Sequence, residues 1–215
     1  MKKHDRHRRR RPRPARRRAA ELVRADDALT AEIRERRRVD RARRALSRCN
    51  RALIRAGDEP QFLQEVCRVI VEVAGYRLCW VGYAEQDEAK SVRPVAHAGY
   101  EAGYLETVRV TWADTERGHG PVGTAIRTRA QAVFRDLAHD PDFAPWREEA
   151  LRRGYASVVG IPLLSGSEVL GALAIYAADA DAFDEDEVQL LRELADDLSY
   201  GIVALRSRAG GRRRP

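Results

Sequence analysis

Three cysteines, Cys49, Cys67 and Cys79, are the side chains of this sequence best suited to redox chemistry or metal binding. Their number is odd and no two of them are close in sequence, so neither a disulfide framework nor a zinc site is predicted. Cys67 falls on the apolar face of a predicted helix and Cys79 in a predicted buried strand, where free cysteines usually act as small core residues. Reduced thiols of this kind are typical of a cytoplasmic protein, which is the location we expect.

The histidines and the glycine-rich run at residues 118–123 are the next candidates for chemistry. His97 and His119 could bind haem or a metal only with partner ligands that the sequence does not supply. In the run GHGPVG, Pro121 near a helix start would leave backbone N–H groups free to bind an anion, assisted by Arg117 and Arg127. A simple tight turn explains the same run equally well. No nucleophile–base pair, paired carboxylate or P-loop emerges, so we predict a protein that is not an enzyme.

Aromatic side chains supply the surface of a predicted, mostly apolar ligand pocket. We expect at least half of these aromatic residues to be ordinary core residues. The candidate pocket residues are Trp80, His97, Trp112, Arg117, Gly120, Pro121, Gly123, Phe134, Trp146 and Tyr155.

Residues 19–56 contain neither glycine nor proline and predict one long helix. A helix of this length that is polar over most of its surface needs a partner. Apolar residues at alternating steps of three and four form the seam of a parallel coiled coil, and the chain is therefore predicted to form a homodimer. The alternative is that the helix folds back on its own domain. The predicted seam residues are Val39, Ala42, Leu46, Cys49 and Leu53.

The remaining elements predict an α+β domain over residues 57–206, preceded by the coiled-coil-type helix. A helix over residues 58–75 is followed by a hairpin of strands at 77–84 and 91–99, and a second hairpin spans 156–177. Shorter strands are predicted at 108–112 and 131–137, and an amphipathic helix at 184–206. Hairpins rather than strand–helix–strand crossovers favour a central antiparallel sheet with helices packed on it.

Charge is divided unevenly along the chain. Residues 1–18 hold eleven Lys or Arg against one Asp, whereas residues 57–205 hold thirteen basic against twenty-six acidic residues. The ends, 1–18 and 207–215, are predicted to be disordered basic tails that bind polyanions weakly and without sequence preference, if they bind them at all. No run approaches the length of a membrane span.

Four stretches of the sequence, in this order, resemble GAF domains, the small-molecule-sensing modules of bacterial and cyclic-nucleotide signalling proteins. The resemblance covers residues 46–206 and is strongest to the domains found beside PAS, histidine-kinase and GGDEF segments. It implies a sheet with helices on one side and a ligand pocket on the other, dimerisation through the first and last helices, and no catalysis. The four stretches are GYRLCWVGYAE at 75–85, GPVGTAIRT at 120–128, and residues 140–163 and 183–206.

The resemblance also bears on the ligand. Cyclic-nucleotide binders of this family carry an Asn-Lys pair and a Phe-x-x-x-Asp-Glu motif, but here Phe183 is followed by Glu187 and Val188 without that pair. Bilin binders attach the chromophore to a cysteine, and residues 140–153 contain none. Covalent bilin and cyclic nucleotides are therefore not expected, and the cofactor stays unknown.

The predicted function is a sensory module that binds a small ligand and passes the signal through its helices to a partner. A histidine kinase or a diguanylate cyclase is the kind of partner that the resemblance implies. Two alternatives stay open: a nucleic-acid-associated regulator that uses the Arg-rich ends, and a GAF-type sulfoxide reductase.

Overall fold

The computed structural model describes residues 14–101 and 103–211. By its internal packing the chain divides into two units, residues 1–40 and residues 41–215. The elements, in chain order, are α1 (Pro14–Arg55), α2 (Glu59–Glu72), β1 (Leu78–Ala84), β2 (Val92–Gly99), α3 (Tyr104–Thr107), α4 (Pro121–Thr128), β3 (Ala132–Phe134), α5 (Arg147–Arg152), β4 (Ser157–Ser165), β5 (Glu168–Ala177) and α6 (Glu185–Gly211).

The five strands form one antiparallel sheet in the order β2-β1-β5-β4-β3. The two predicted hairpins, β1–β2 and β4–β5, are both present, and β1 and β5 join them at the centre. The predicted α+β fold with a central antiparallel sheet is therefore confirmed. Residues 108–112 differ from the prediction, because only Thr111 forms a bridge, to Ser91. Arg109 has a φ of +36°, which interrupts the extended backbone that a strand requires.

The two faces of the sheet carry separate cores. On the face that we call the helix face, β1 contributes Cys79, Val81 and Tyr83 to a cluster with α2 and α6. On the opposite face, which we call the pocket face, β1 contributes Leu78 and Trp80 to a second cluster with α3, α4 and the 3₁₀ turn at Pro141–Trp146. The alternation of side chains along one strand thus supplies both cores.

The last turns of α1 belong to the second unit and pack on the helix face. Cys49 is buried there, together with Ala45 and Ala52, and Leu46 and Leu53 are half-buried against the same cluster. The seam residues Leu46, Cys49 and Leu53 therefore pack on the domain of their own chain, which is the alternative that the sequence left open. The other two, Val39 and Ala42, lie outside the described side chains. The homodimer itself stays a prediction.

The helices extend beyond the predicted bounds of the tails. α1 begins at Pro14, which suits the first turn of a helix because its missing N–H needs no partner there. α6 continues to Gly211, so residues 207–211 are helical. Residues 1–13 and 212–215 of the predicted tails lie outside the described residues. No helix among residues 14–101 and 103–211 is long and apolar enough to cross a membrane.

Candidate ligand pocket

A small cavity lies on the pocket face, between strands β1 and β5 and the segments that cover them. Its volume is about 10 Å³, which is room for about one water molecule. None of the lining side chains is ionisable at neutral pH. The lining residues are Trp80, Tyr104, Val108, Val110, Gly120, Pro121, Val122, Phe143, Trp146 and Tyr176.

The indole N–H of Trp80 is the least satisfied polar group of this cavity. Trp80 lies on the interior strand β1, and none of its surface is exposed to solvent. Its Nε1 is fully buried and makes no hydrogen bond of acceptable geometry, although the Tyr176 hydroxyl lies close enough for the indole N–H to offset part of the rise that burial causes in the pKa of that hydroxyl. A buried donor without a partner costs about 1–3 kcal/mol, so an acceptor that reached this group would be bound favourably.

Three tyrosines pack around the inner end of the cavity. The Tyr104 ring meets Tyr176 and Tyr155 edge-on, with centroids 5.6 and 5.5 Å apart, and Tyr155 lies 4.9 Å from Tyr176. The Tyr104 and Tyr176 hydroxyls are 3.5 Å apart, and burial raises the pKa of both. These hydroxyls therefore stay protonated at neutral pH and can donate or accept a hydrogen bond.

Trp146 forms the outer wall, and its position explains one of the predicted glycines. Its Nε1 donates a hydrogen bond of 3.2 Å to the Val108 carbonyl, which ties the 3₁₀ turn to the segment after α3. A Cβ atom at Gly120 would lie only 2.5 Å from the Trp146 ring. Glycine at residue 120 is therefore required for this ring to close over the cavity.

The remainder of the glycine-rich run is a tightly packed turn. A Cβ atom at Gly123 would collide with the Gly118 carbonyl, and one at Gly160 of β4 would collide with the Pro121 carbonyl. The Arg127 guanidinium donates to the carbonyls of Trp112, Ala113 and Gly118, at 3.3, 3.1 and 2.5 Å, and so holds the turn together. Of the two interpretations of this run, these contacts favour the turn over the anion site.

The predicted pocket residues divide into three groups. Trp80, Gly120, Pro121 and Trp146 line the cavity, as predicted. Tyr155 and Phe134 lie behind it, the latter with its ring 6.2 Å from that of Phe143. The structure does not bring the others into the lining, namely His97, Trp112, Arg117 and Gly123.

Each of these four has another place in the fold. His97 is exposed on the edge strand β2. Trp112 donates from Nε1 to the Glu85 carbonyl at 2.9 Å and carries the Lys90 ammonium over its ring. Arg117 is exposed and directs Nη1 to the Val108 carbonyl at 3.4 Å. Gly123 belongs to the packed turn.

Six lining residues were not predicted: Tyr104, Val108, Val110, Val122, Phe143 and Tyr176. One of them, Tyr176, could have been predicted from the alternation of side chains along the last predicted strand. Ala172, Ala174 and Tyr176 alternate along β5 and share the pocket face. Once β5 pairs with β1, Tyr176 is placed beside the lining of the cavity.

The three cysteines are free thiols on the helix face, away from the cavity. Cys67 and Cys79 have no exposed surface. Burial raises the pKa of Cys49 to about 12 and also raises the pKa of Cys79, so neither is a thiolate at neutral pH. Within the described residues no group of three or more His, Cys, Asp or Glu side chains is arranged to hold a metal ion.

Comparison with known proteins identifies the family of this α+β domain. A family model described as GAF domain matches residues 56–203, which is more than half of the chain. The chain therefore belongs to the GAF domain family, as the sequence resemblance implied. The comparison with curated protein sequences gave no match.

Solved structures with the same fold come from proteins of different kinds. The GAF domain of a phosphoenolpyruvate-protein phosphotransferase from Coxiella burnetii has a TM-score of 0.65 at 20% identity, covering 79% of this chain and 96% of that one. Free methionine-R-sulfoxide reductase from Neisseria meningitidis, solved with its substrate, has a TM-score of 0.65 at 21% identity, covering 78% and 91%. A domain of a putative two-component sensor histidine kinase from Sinorhizobium meliloti has a TM-score of 0.56 at 16% identity, covering 74% and 100%. At these identities the likeness establishes the fold.

Proposed function

We propose that this chain is a non-catalytic GAF regulatory module that binds a small ligand in the aromatic cavity of the pocket face. The observation that carries the proposal is the Trp80 indole N–H, buried and unpartnered at the wall of that cavity. Because the lining contains no charged side chain, the ligand is an uncharged, flat molecule with a hydrogen-bond acceptor for Trp80. We infer that the change on binding is passed to a signalling partner, of the histidine-kinase or diguanylate-cyclase kind.

Because the cavity is small, a ligand can bind only if the side chains that cover the cavity move. A ligand larger than one water must displace covering side chains, and Tyr104 and Trp146 are the two largest that do not belong to the sheet. Trp146 holds the Val108 carbonyl, so its movement also releases the segment after α3. The ligand therefore selects an opened arrangement of this cover, as population shift requires.

The helix face offers a route from the cavity to the ends of the helices. Cys79 and Val81 flank Trp80 along β1 and pack against α2 and α6. Near its end α6 is tied to α2 by Arg206, whose guanidinium binds Glu59 at 2.7 and 3.0 Å. Tyr83 of β1 donates to the same carboxylate. A shift of β1 would therefore act on both helices.

The placement of the cysteines favours this function over the reductase alternative. Sulfoxide reductases are among the proteins that share the fold, and thiol chemistry would need a cysteine at the bound substrate. All three cysteines of this chain lie on the other face of the sheet. Turnover of methionine sulfoxide by the full chain, lost on Cys67→Ser or Cys79→Ser, would establish the reductase instead.

A thermal-shift screen of uncharged aromatic metabolites on the full chain tests the proposed ligand site. A ligand that binds only the native state stabilises it by about 2.7 kcal/mol at a concentration about a hundredfold above Kd. This added stability raises the melting temperature. Trp80→Phe should weaken each hit, whereas the matched Trp112→Phe should not, because Trp112 does not line the cavity. No hits, together with a crystal structure in which its own side chains fill the cavity, would overturn the ligand site. Conversion of a hit, detected by mass spectrometry, would overturn the non-catalytic assignment.

We also propose that the chain forms a homodimer through α1, and this proposal has a separate test in the first unit. Leu22 and Leu29, seven residues apart along α1, are 71% and 55% exposed, which is unusual for leucine and fits a face that a second copy covers. The double variant Leu22→Asp and Leu29→Asp should convert the dimer into a monomer in light scattering without lowering the melting temperature of the domain. A monomeric wild type at micromolar concentration would contradict the dimer.

A further inference from the structure

A groove on the side of the helix face lies between the end of α1 and the start of α2, within the second unit. Its volume is about 470 Å³, in the range of small-molecule sites and far larger than the aromatic cavity. Ala52 and Ala56 form the apolar part of the groove's lining. The polar lining residues are Arg48, Arg51, Arg55, Gln61 and Glu65.

The three arginines form one row along the groove. Steps of three and four residues place them on the same side of α1, over a length of about 10 Å at 1.5 Å per residue. All three are exposed. Arg51 makes weak bonds of 3.3 and 3.4 Å to Ser47. For Arg48 and Arg55 the described part of the chain shows no hydrogen bond or ion pair.

The carboxylates near the groove are already engaged. Glu65 is held by Arg68 through contacts of 2.6 to 3.0 Å. Asp58 caps α2 by accepting from the Gln61 backbone N–H, and Glu59 is bound by Arg206. Gln61 uses its side-chain oxygen to accept from the Gly57 N–H, which leaves its NH₂ group as a donor. Donors are therefore in excess, and the groove has a local positive charge on a domain that is otherwise acidic.

We propose that this groove binds a small polyphosphate-bearing molecule of about the size of a nucleotide. Guanidinium groups bind phosphate oxygens through two parallel hydrogen bonds, and a row of three suits two or three linked phosphates. The volume and the helix walls of the groove suit a small ligand that is largely enclosed by the protein. The bound molecule would join α1 to α2 at a place separate from the aromatic cavity, so this proposal does not depend on the proposed function.

Isothermal titration of the full chain at ~0.15 M salt, where exposed charges are screened beyond ~8 Å, tests the site. The probes are inorganic tripolyphosphate, ATP and, as an uncharged control, adenosine. We expect one site for tripolyphosphate and ATP. Equal affinities would indicate that the phosphates alone are recognised, and tighter ATP binding would add a contact to the nucleoside. Adenosine binding as tightly as ATP would overturn the proposal.

Two triple variants separate the groove from the general basic charge of the chain. The groove variant carries Arg48→Gln, Arg51→Gln and Arg55→Gln. The matched control carries the same replacement at Arg18, Arg24 and Arg43, which are exposed and do not line the groove. We expect tripolyphosphate to bind at least about tenfold more weakly to the groove variant, since charge-assisted hydrogen bonds are lost, and the control to stay within about twofold.

Three results would overturn the assignment. They are an equal loss in both triple variants, an unchanged groove variant, and a wild type that does not bind tripolyphosphate. Melting temperatures of both variants close to wild type would show that the replaced arginines act on the ligand and not on folding. A groove variant that melts much lower is assayed well below its melting temperature, where the folded fraction is near one and the same affinity criteria apply.

Discussion

The helix face and the pocket face of the sheet are packed with different side chains although they share the same strands. The helix face is filled largely by aliphatic residues and cysteines from α2, α6 and the sheet. The pocket face is richer in tryptophan, tyrosine and phenylalanine, with six among its sixteen buried residues against three of twenty-eight on the helix face, and it retains a small cavity and an unpaired donor. Buried aliphatic side chains carry no polar atoms, whereas the tryptophan N–H and the tyrosine O–H need a hydrogen-bond partner when they are buried. On the proposed function, the helix face stabilises the domain and the pocket face binds the ligand.

The largest expected effect is the loss of a fully buried aliphatic side chain on the helix face. Ile70 of α2 has no exposed surface, so Ile70→Ala should lower the free energy of unfolding by about 2–5 kcal/mol. On the pocket face Val110→Ala should cost less than about 1.5 kcal/mol, because Val110 is half-buried beside an existing cavity. Urea denaturation measures both values, and equal costs would remove the distinction between the faces.

A methyl group added at Gly120 tests how closely the pocket cover is packed. Its Cβ would lie 2.5 Å from the Trp146 ring, so Gly120→Ala should destabilise the domain by about 1–3 kcal/mol and displace Trp146. The matched control is Gly210→Ala, where the added methyl meets no atom within 4 Å. We expect that control to be neutral or slightly stabilising in thermal melts. Wild-type tryptophan fluorescence and stability in the Gly120 variant would contradict the tight cover.

The same substitution, tryptophan to phenylalanine, compares the hydrogen-bonded indole of Trp146 with the unpaired indole of Trp80. Trp146→Phe removes the hydrogen bond to the Val108 carbonyl, whereas Trp80→Phe removes a donor that has no partner. Beyond the common loss of ring volume, the Trp146 variant should therefore be less stable than the Trp80 variant by about 1–3 kcal/mol. Chemical denaturation of the two variants gives the difference. A less stable Trp80 variant would imply that its N–H is already satisfied.

The smallest expected effect is on the helix face, at Asp197 of α6. Partial burial raises the pKa of this carboxyl, and the neighbouring Asp196 and Glu193 raise it further. A raised folded-state pKa means that the ionised form is disfavoured in the fold, so the domain gains stability as pH falls through that pKa. Asp197→Asn should therefore raise the melting temperature slightly at pH 7. The gain should disappear below the ordinary pKa of aspartate, about 3.9, where both chains are uncharged at this residue.

Much of the fold could be predicted because it depends on local patterns. Residues 77–84 and 168–177 are nearly continuous apolar runs, and these runs, together with the turns that bound them, identified both hairpins. The seam of α1 could not be assigned from Leu46, Cys49 and Leu53 alone. Over so few turns a repeat of 3.5 residues and one of 3.6 differ by little, so a partner helix and the chain's own domain fit equally well.

The candidate site was less predictable because it depends on contacts between distant segments. Trp80 could be identified from its own strand. Tyr176 required the pairing of β1 with β5, across more than ninety residues of sequence. The role of Arg127 depended on carbonyls that come together only when the turn at Ala113 and Gly118 closes. Such non-local contacts leave no periodic signal in the sequence.

The central claim, that the cavity beside Trp80 is a ligand site, can be tested by NMR of the tryptophan indole N–H groups. The chain has three tryptophans, and the Trp80 signal is assigned as the one lost in Trp80→Phe. When an uncharged aromatic hit is titrated into the full chain, the Trp80 signal should move downfield as its N–H gains an acceptor. The Trp112 signal, from an indole already bonded to Glu85, should stay in place. An unmoved Trp80 signal at saturating ligand would contradict the claim.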